Sequence, residues 1–212
     1  MKKKEYCSLG IMSGTSLDGF DFSLIKTDGK FNIQTLVDQY YEFNSNFKKS
    51  IRKLINKIDN FNIKLIKDSD ELVNLNLKYS ELVLKLIKDF RLKNKSQMKN
   101  LDVIGIHGNT IMHQPEKGIS IQLGIPNFLS KSLNKSIVAD FRDNDIKLKG
   151  QGAPLVPIFH QSKFSEKNKN IMVVNIGGIT NFTLLEGKTK LFASDIGPGN
   201  KLIDEFCLKK FK

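Results

Sequence analysis

A strand that leads into a small, glycine-containing turn and is followed by a returning strand occurs twice in the chain. The first copy covers residues 6–26 with its turn at 13–19, and the second covers residues 171–185 with its turn at Gly177 and Gly178. Glycine allows the backbone to turn tightly and to approach a ligand closely. Two such hairpins predict a two-lobed, phosphate-binding architecture, although two unrelated hairpins would give the same pattern.

Strands and helices alternate along the remainder of the chain. A third strand is predicted over residues 31–43, which makes the beginning of the chain an antiparallel meander. Residues 44–93 carry apolar side chains at helical spacing and predict two helices: Leu72, Leu75, Leu82, Leu86 and Phe90. Further strands are predicted at 101–107, 120–123 and 137–141, with helices at 125–133 and 154–164. This alternation implies partly parallel pairing and an α/β class.

The strong positive charge raises the question of nucleic-acid binding. The formal net charge is +12, from 34 Lys and Arg against 22 Asp and Glu. Clustered basic residues are the electrostatic footprint of proteins that bind the phosphate backbone. Here nearly all of them are lysines scattered on predicted helix faces, and only Arg52, Arg91 and Arg142 could offer a bidentate fork. We therefore expect no nucleic-acid partner.

Neither a membrane segment nor a redox centre is predicted. No run approaches the roughly 20 apolar residues that cross a bilayer, and the first residues lead into a strand without a signal-peptide core. Cys7 and Cys207 lie at opposite ends of the chain and form no metal-ligand spacing, so reduced thiols are expected. We expect a cytoplasmic protein without a membrane partner.

The turn between the first two strands is the first candidate site. It consists of Gly14, Thr15, Ser16, Leu17, Asp18, Gly19, Phe20 and Asp21. Its backbone amides and hydroxyls could donate to phosphate oxygens, and Asp18 or Asp21 could hold a magnesium ion through water. It is neither a P-loop nor a dinucleotide-binding fingerprint, because it lacks the Gly-Lys-Ser/Thr ending and leads into a strand. An ordinary hairpin turn is the alternative.

A second candidate site is predicted at residues 194–200, ahead of a helical run over 201–212. A glycine loop that opens a helix presents free amides and the positive end of the helix dipole. Gly197, Gly199 and Asn200 are therefore predicted to bind phosphate. Asp195 lies just outside this loop and could act as a general base. A solvated turn is the alternative.

Polar residues at the ends of the later strands form a third candidate site: His107, Thr110, Asp140, Arg142 and Asp145. Proteins of the α/β class place their ligands at the carboxyl ends of strands. These side chains could bind the hydroxyls and the amide of a sugar. The alternatives are a hydrogen-bonded structural histidine and an internal ion pair between Asp140 and Arg142.

Five runs of the sequence, taken in order and spacing, resemble one family. They are residues 10–19, 138–142, 150–157 with Phe159 and His160, 175–179, and 195–200 with Leu202. The resemblance is to the anhydro-N-acetylmuramic acid kinases. It spans almost the whole chain and implies an α/β fold of the actin, hexokinase and Hsp70-like kind. In this fold residues 1–140 would form the first lobe and residues 141–212 the start of a second.

The resemblance also implies a reaction. ATP and Mg²⁺ would phosphorylate the 6-hydroxyl of 1,6-anhydro-N-acetylmuramic acid while water opens the anhydro bridge, which yields N-acetylmuramic acid 6-phosphate for peptidoglycan recycling. Residues 14–21 would bind the phosphates of ATP, and Asp195 would activate the water. His107 and Thr110, with residues 140–145, would line the pocket for the amino sugar.

The sequence departs from the family pattern at three positions and in length. Asn109 stands where glutamine is usual, Ile106 where a small residue is usual, and Lys149 where a second glycine precedes Gly150. Family members continue for about another domain beyond the Asp195 loop, so a half-built second lobe would expose strand edges and apolar surface. We expect a kinase that a second polypeptide or a homodimer completes, or a remnant that binds sugar or nucleotide without catalysis.

Overall fold

A computed structural model describes residues 5–58 and 69–211. The chain divides into two compact units, of which the first ends at Gly152 and the second begins at Ala153. The predicted lobe boundary between residues 140 and 141 falls inside the first unit, in the loop after its last strand, and it stays a prediction. Part of the predicted helical region, residues 59–68, lies outside the described residues.

The first unit opens with the predicted antiparallel meander. It consists of β1 (Tyr6–Met12), β2 (Gly19–Thr27) and β3 (Ile33–Glu42), with Met12 opposite Asp21 where the turn begins. Alternate side chains of β1 and β2 enter the core, as expected for strands that cover a core on one face: Cys7, Leu9, Ile11, Phe20, Phe22 and Leu24. This prediction is confirmed.

Two helices follow, α1 (Ser45–Ile58) and α2 (Asp70–Lys93). The side chain of Ser69 caps the start of α2 by accepting from the Leu72 amide, which satisfies one of the free donors of the first turn. Residues at helical spacing on α2 are buried, among them Leu72, Leu75 and Phe90. The helical pattern is therefore confirmed over the described residues.

The rest of the first unit adds a parallel part to the sheet. It contains β4 (Leu101–Gln114), β5 (Ile119–Leu123), α3 (Pro126–Leu133), β6 (Ser136–Val138) and α4 (Asp143–Lys147). The strand order is β3-β2-β1-β4-β5, with β6 also on β4. Because β4 runs parallel to both β1 and β6, the predicted α/β class is confirmed.

Two strand lengths differ from the prediction. β4 does not end at His107 but continues to Gln114, because its second half changes partner and pairs with β5. The change occurs at Gly108, whose φ is 76° and whose place a Cβ could not take without striking the Leu123 carbonyl oxygen. β6 ends at Val138 and not at residue 141, because Asp140 adopts a left-handed φ of 55°.

The second unit combines a three-stranded antiparallel sheet with two helices. It contains α5 (Pro157–Phe164), β7 (Asn170–Ile176), β8 (Ile179–Glu186), β9 (Lys190–Pro198) and α6 (Lys201–Lys210), with the strand order β7-β8-β9. The prediction of a glycine loop over residues 194–200 was wrong, because residues up to Pro198 belong to β9. Glycine and proline are tolerated there because β9 is an edge strand.

One face of the β7–β9 sheet is apolar and exposed. Met172, Leu184 and Phe192 form one row across the three strands, with Met172 57 % and Phe192 60 % exposed. On the opposite face Thr183 and Leu185 are buried, and His160 of α5 hydrogen-bonds to Thr183. An apolar patch of this kind is typical of surfaces that associate.

Replacing Val174 on this exposed face by glutamate is expected to reduce concentration-dependent self-association of the chain. If the chain associated through this face, the new carboxylate would be buried without a hydrogen-bond or ion-pair partner, which costs free energy. Sedimentation velocity over a range of concentrations measures the effect. Thr189→Glu, in the exposed turn between β8 and β9, adds the same charge away from the face. An equal effect of both substitutions would show that charge alone, and not this face, governs association.

Candidate active site

The loop between β1 and β2, residues 13–18, turns two of its three hydroxyl residues outward. Ser13 and Leu17 are buried, whereas Thr15 and Ser16 are exposed. Leu17 adopts a left-handed φ of 60° and its amide donates to the Gly14 carbonyl oxygen at 3.2 Å. The buried Leu17 side chain thus anchors the loop in the core, while residues 15 and 16 face solvent.

Two buried side chains hold this loop from beneath. The hydroxyls of Ser13 and Tyr79 lie 2.7 Å apart, and the side-chain amide of Asn109 donates to the Gly14 carbonyl oxygen at 2.8 Å. Burial raises the pKa of Tyr79, although the bond to Ser13 opposes the shift. The Tyr79 phenol therefore stays protonated and available as a donor at neutral pH.

The backbone amides at the tip of the loop are free. Within residues 5–58 and 69–211, the N–H groups of Thr15 and Ser16 have no hydrogen-bond partner. Successive free amides and hydroxyls at a tight turn form a concave site that suits an anion. The free amides of Thr15 and Ser16 suit the phosphate-binding role that the sequence predicts for residues 14–21, and that role stays a prediction.

Acidic side chains lie beside the loop. Asp18 and Asp21 are exposed, and Asp21 is paired with Tyr40 of β3. Burial raises the pKa of Tyr40, and the nearby charges of Asp18, Glu42 and Asp21 raise it further. These three carboxylates therefore lie near enough to the Tyr40 hydroxyl to oppose its ionisation.

Gly19 is the residue that lets Tyr40 lie so close to the loop. A Cβ at Gly19 would strike the Tyr41 carbonyl oxygen and would come within 2.8 Å of the Tyr40 ring. Glycine is therefore required at the start of β2 because a side chain would not fit there, and not because the backbone has a conformation that favours glycine.

The acidic residues suit a magnesium ion that arrives with a phosphate. The described parts of the chain contain no group of three or more His, Cys, Asp or Glu side chains that could hold a metal alone. Mg²⁺ is usually held by one or two carboxylates together with phosphate oxygens. Asp18 and Asp21 fit this pattern, and without a cation their charges would repel a phosphate on the adjacent loop.

A hydrogen-bond network connects three of the predicted sugar-site residues. Arg142 donates through Nη2 to His107 Nε2 at 2.9 Å and through Nη1 to the Gly152 carbonyl oxygen at 2.7 Å. The Gly152 amide donates to Asp145 Oδ2 at 2.6 Å. Since arginine cannot accept, His107 must carry its proton on Nδ1, which lies 2.9 Å from the Gly108 carbonyl oxygen. Among the described residues Arg142 makes no ion pair with Asp140.

The other two predicted residues of this site lie close by. Asp140 and His107 line one small cavity, to which Gln122 also contributes. Burial, followed by the charge of Asp143, raises the pKa of Asp140. Thr110 accepts from Gln122 Nε2 at 3.4 Å. Gln122 was not predicted from the sequence, and its only signal is that it and Ser120 alternate with apolar residues in β5.

Stability is expected to fall as the pH is lowered from about 7.5 to about 5, through the ordinary histidine pKa near 6.5. Burial lowers the pKa of His107; the Gly108 carbonyl opposes this shift and the charge of Arg142 adds to it. Burial also lowers the pKa of His113 and His160. The unfolded chain then binds more protons than the folded chain just below the ordinary pKa, so unfolding is favoured as pH falls.

Urea unfolding over this pH range measures the effect, and His107→Gln should show a weaker dependence than the unaltered chain. An unchanged slope in the variant would show that His107 does not titrate differently on folding.

In the second unit, Asp195 lies on β9 within a polar row. Asn175, Asn181 and Asp195 are register partners across β7, β8 and β9, and Asp195 is exposed. Among the described residues Asp195 has no ion pair. An exposed carboxylate is open to a water molecule, which a general base must be able to reach.

The predicted phosphate-binding amides near Asp195 are already in use. The Gly199 amide donates to the Gly178 carbonyl oxygen at 3.0 Å, and the Asn200 amide donates to that of Gly177 at 2.7 Å. The Asn200 side chain does not cap α6 but donates to the Ile176 carbonyl oxygen. The prediction of free amides at these two residues was therefore wrong; Gly197 lies within β9. Phosphate binding by Gly197, Gly199 and Asn200 stays a prediction.

The predicted site residues are thus distributed over both units. The first unit contains the loop of residues 14–21 and the network around Arg142, and the second contains Asp195 with Gly197, Gly199 and Asn200. Within the first unit hydrogen bonds bring His107, Arg142 and Asp145 together, and their role in a sugar pocket stays a prediction.

Comparison with known proteins gives a family. The family model described as anhydro-N-acetylmuramic acid kinase matches residues 6–212. The anhydro-N-acetylmuramic acid kinase of Pelagibacter ubique is 41 % identical over 209 residues, which cover 96 % of this chain and 54 % of the relative. That of Bradyrhizobium diazoefficiens is 33 % identical and covers 95 % and 55 %, respectively. The chain spans about half the length of the curated relatives that it matches.

A solved structure shows a weaker likeness. The Aquifex aeolicus member of the Ppx/GppA protein family aligns with a TM-score of 0.43 at 12 % identity, over 95 % of this chain and 54 % of that chain. No conclusion rests on a likeness at this level. The match of the family model over almost the whole chain is decisive, and the chain belongs to the anhydro-N-acetylmuramic acid kinase family.

Proposed function

We propose that this chain carries the phosphate-binding loop, the sugar-binding strand ends and the catalytic base of an ATP-dependent, cytoplasmic sugar kinase. The reaction is the conversion of 1,6-anhydro-N-acetylmuramic acid to N-acetylmuramic acid 6-phosphate, with hydrolytic opening of the anhydro ring, in peptidoglycan recycling. The observation that carries the proposal is the loop of residues 14–18, where the free amides of Thr15 and Ser16 lie beside two exposed carboxylates. Family membership supplies the substrate.

At the phosphate end, the amides and hydroxyls of Thr15 and Ser16 orient the terminal phosphates of ATP. Asp18 and Asp21 would hold the magnesium ion, and the ion would supply positive charge against the negative charge of phosphoryl transfer. Positioning and charge neutralisation are the main requirements of this chemistry. The anchoring of the loop by Leu17, Tyr79 and Asn109 supplies the rigidity that positioning requires.

At the sugar end, polar groups of different kinds converge. Thr110 offers a hydroxyl, Gln122 an amide and Asp140 a carboxylate, next to the fixed pair of His107 and Arg142. Such a set can distinguish the hydroxyl groups and the acetamido group of an amino sugar. A small-molecule amino sugar, and not a nucleic acid, is the proposed partner of these residues.

Asp195 supplies the proton transfer. Its carboxylate takes a proton from the water that attacks the anomeric carbon, and the bond between that carbon and the bridging oxygen breaks. The released oxygen at carbon 6 attacks the γ-phosphorus, and the bond from that phosphorus to the β-phosphate oxygen breaks to give ADP. The proton on Asp195 returns to solvent. Water attack is the reason why this sugar kinase needs a general base.

A coupled assay of ADP release, with and without 1,6-anhydro-N-acetylmuramic acid, tests the proposal, and mass spectrometry of the product identifies the phosphorylated, ring-opened sugar. Release that depends on the sugar and yields this product would support the kinase. A folded chain that binds sugar or nucleotide without releasing ADP would contradict independent catalysis and would favour the remnant. Restoration of turnover by an added polypeptide from the unmatched half of a relative would support completion by a second chain.

A further inference from the structure

The buried side chain of Asn109, one of the three that anchor the phosphate loop, makes a contact that bears on the orientation of a single peptide of that loop. Asn109 is 0 % exposed, and β4 places it directly after Gly108, the partner of Met12 at the end of β1. Its Nδ2 donates to the Gly14 carbonyl oxygen, whereas its Oδ1 is buried without a partner among the described residues. A buried amide with an unpaired oxygen calls for an explanation.

The contact fixes the direction of the Gly14 carbonyl. Exchanging the oxygen and nitrogen of Asn109 would set two acceptors against each other, so the observed orientation of the side chain is the one that can bond. The Leu17 amide donates to the same Gly14 oxygen at 3.2 Å. Two donors from within the protein therefore hold this carbonyl inward.

The direction of the carbonyl determines the direction of the next amide. The peptide unit is planar and trans, so the Thr15 N–H points away from the Gly14 C=O. With the carbonyl held inward, the N–H at exposed Thr15 points to the outside, where it has no partner among the described residues. If this peptide rotated by a half-turn, the Gly14 carbonyl oxygen would point outward in place of the Thr15 N–H. That oxygen would repel phosphate.

We propose that Asn109 is a positioning residue that locks the Gly14–Thr15 peptide in the orientation that binds the phosphate of ATP. The inference rests on the proposed function for its ligand. The orientation of the peptide, however, can be measured in the free protein. Tyr79 restrains Ser13, on the other side of Gly14, but does not contact the peptide that turns.

Asn109→Leu removes the donor but keeps the branched shape of the side chain, and Asn109→Gln keeps the carboxamide. Calorimetric titration with Mg·ATP should show affinity lowered about tenfold or more in the leucine variant, the effect of losing one hydrogen bond to a charged group. The glutamine variant should retain most of the affinity.

Ile111→Ala, at a buried neighbour on β4, should lower stability without changing affinity. If the leucine variant does not fold, Asn109→Asp sets a carboxylate against the Gly14 carbonyl at the same shape.

NMR of the free protein supplies a readout without a ligand. The carbonyl carbon shift of Gly14 and the amide shift of Thr15 should change in Asn109→Leu or Asn109→Asp and not in Ile111→Ala. The inference would be overturned if the Gly14 and Thr15 signals stayed the same in the Asn109 variants. It would also be overturned if those signals changed while the affinity for Mg·ATP did not. If the unaltered chain does not bind Mg·ATP at all, the proposed function is contradicted and the inference falls with it.

Discussion

Replacing Asp195 by asparagine is expected to lower sugar-dependent ADP release by about 100-fold to 10,000-fold, the usual effect of losing a general base. Asparagine has nearly the same shape but cannot take a proton from the attacking water. The binding of Mg·ATP should be unaffected, because Asp195 lies outside the phosphate loop in sequence and is assigned only to the water. Steady-state rates of ADP release, in an assay where the unaltered chain turns over, measure the effect.

Asp204→Asn is the matched control. Asp204 is an exposed aspartate in the first turn of α6, and its replacement changes the net charge equally without removing the proposed base. Its activity should equal that of the unaltered chain. Activity of Asp195→Asn within a few-fold of the control would contradict the assignment of Asp195.

Replacing Phe20 by alanine is expected to lower the free energy of unfolding by about 3–5 kcal/mol, as for large aromatic side chains removed from cores. Phe20 is 0 % exposed and its ring centroid lies 4.6 Å from that of Phe43 and 5.3 Å from that of Tyr79. Domains are stable by only about 5–15 kcal/mol, so this loss is a large share of the total. Urea unfolding measures it. Because Phe20 directly follows Gly19, the cavity would also loosen the phosphate loop.

Phe31→Ala provides the control for this substitution. Phe31 is 74 % exposed, and surface replacements of this kind usually change stability by less than about 0.5 kcal/mol. Similar losses for Phe20→Ala and Phe31→Ala would contradict the description of the aromatic core beneath the loop.

Features governed by local pattern could be predicted from the sequence. Alternation of apolar and polar residues gives the bounds of β1 as Tyr6–Met12, and helical spacing gives the buried face of α2. The alternation of strands and helices predicts the parallel pairing of β4. The mixed sheet confirms the α/β class, and the actin, hexokinase and Hsp70-like kind of fold that the resemblance implied stays a prediction.

Features that depend on a partner distant in sequence could not be predicted. The end of β9 reads as a loop because it contains Gly197, which weakens a strand, and Pro198, which is confined to sheet edges. The second half of β4 is a strand because β5 returns to pair with it. The amides of Gly199 and Asn200 were expected to be free, but the turn at Gly177 and Gly178 accepts them.

In the candidate site, too, residue types could be predicted from local pattern, whereas long-range contacts could not. The sequence indicates the residue types of the phosphate loop, but the direction of each peptide depends on Asn109, 95 residues away from Gly14. In the same way, the sequence predicts His107 and Arg142 for one sugar site, but the hydrogen bond between them, across 35 residues, depends on the fold. Long-range contacts of this kind leave no periodic signal in the sequence.

The backbone amide shifts of Thr15 and Ser16 during titration with Mg·ATP test the central claim most directly. We predict large, saturable shifts for these two amides, because they are the free donors of the loop, and smaller shifts for the Gly199 and Asn200 amides, which already have partners. Saturable binding that leaves Thr15 and Ser16 unshifted would contradict the assignment of this loop as the phosphate site.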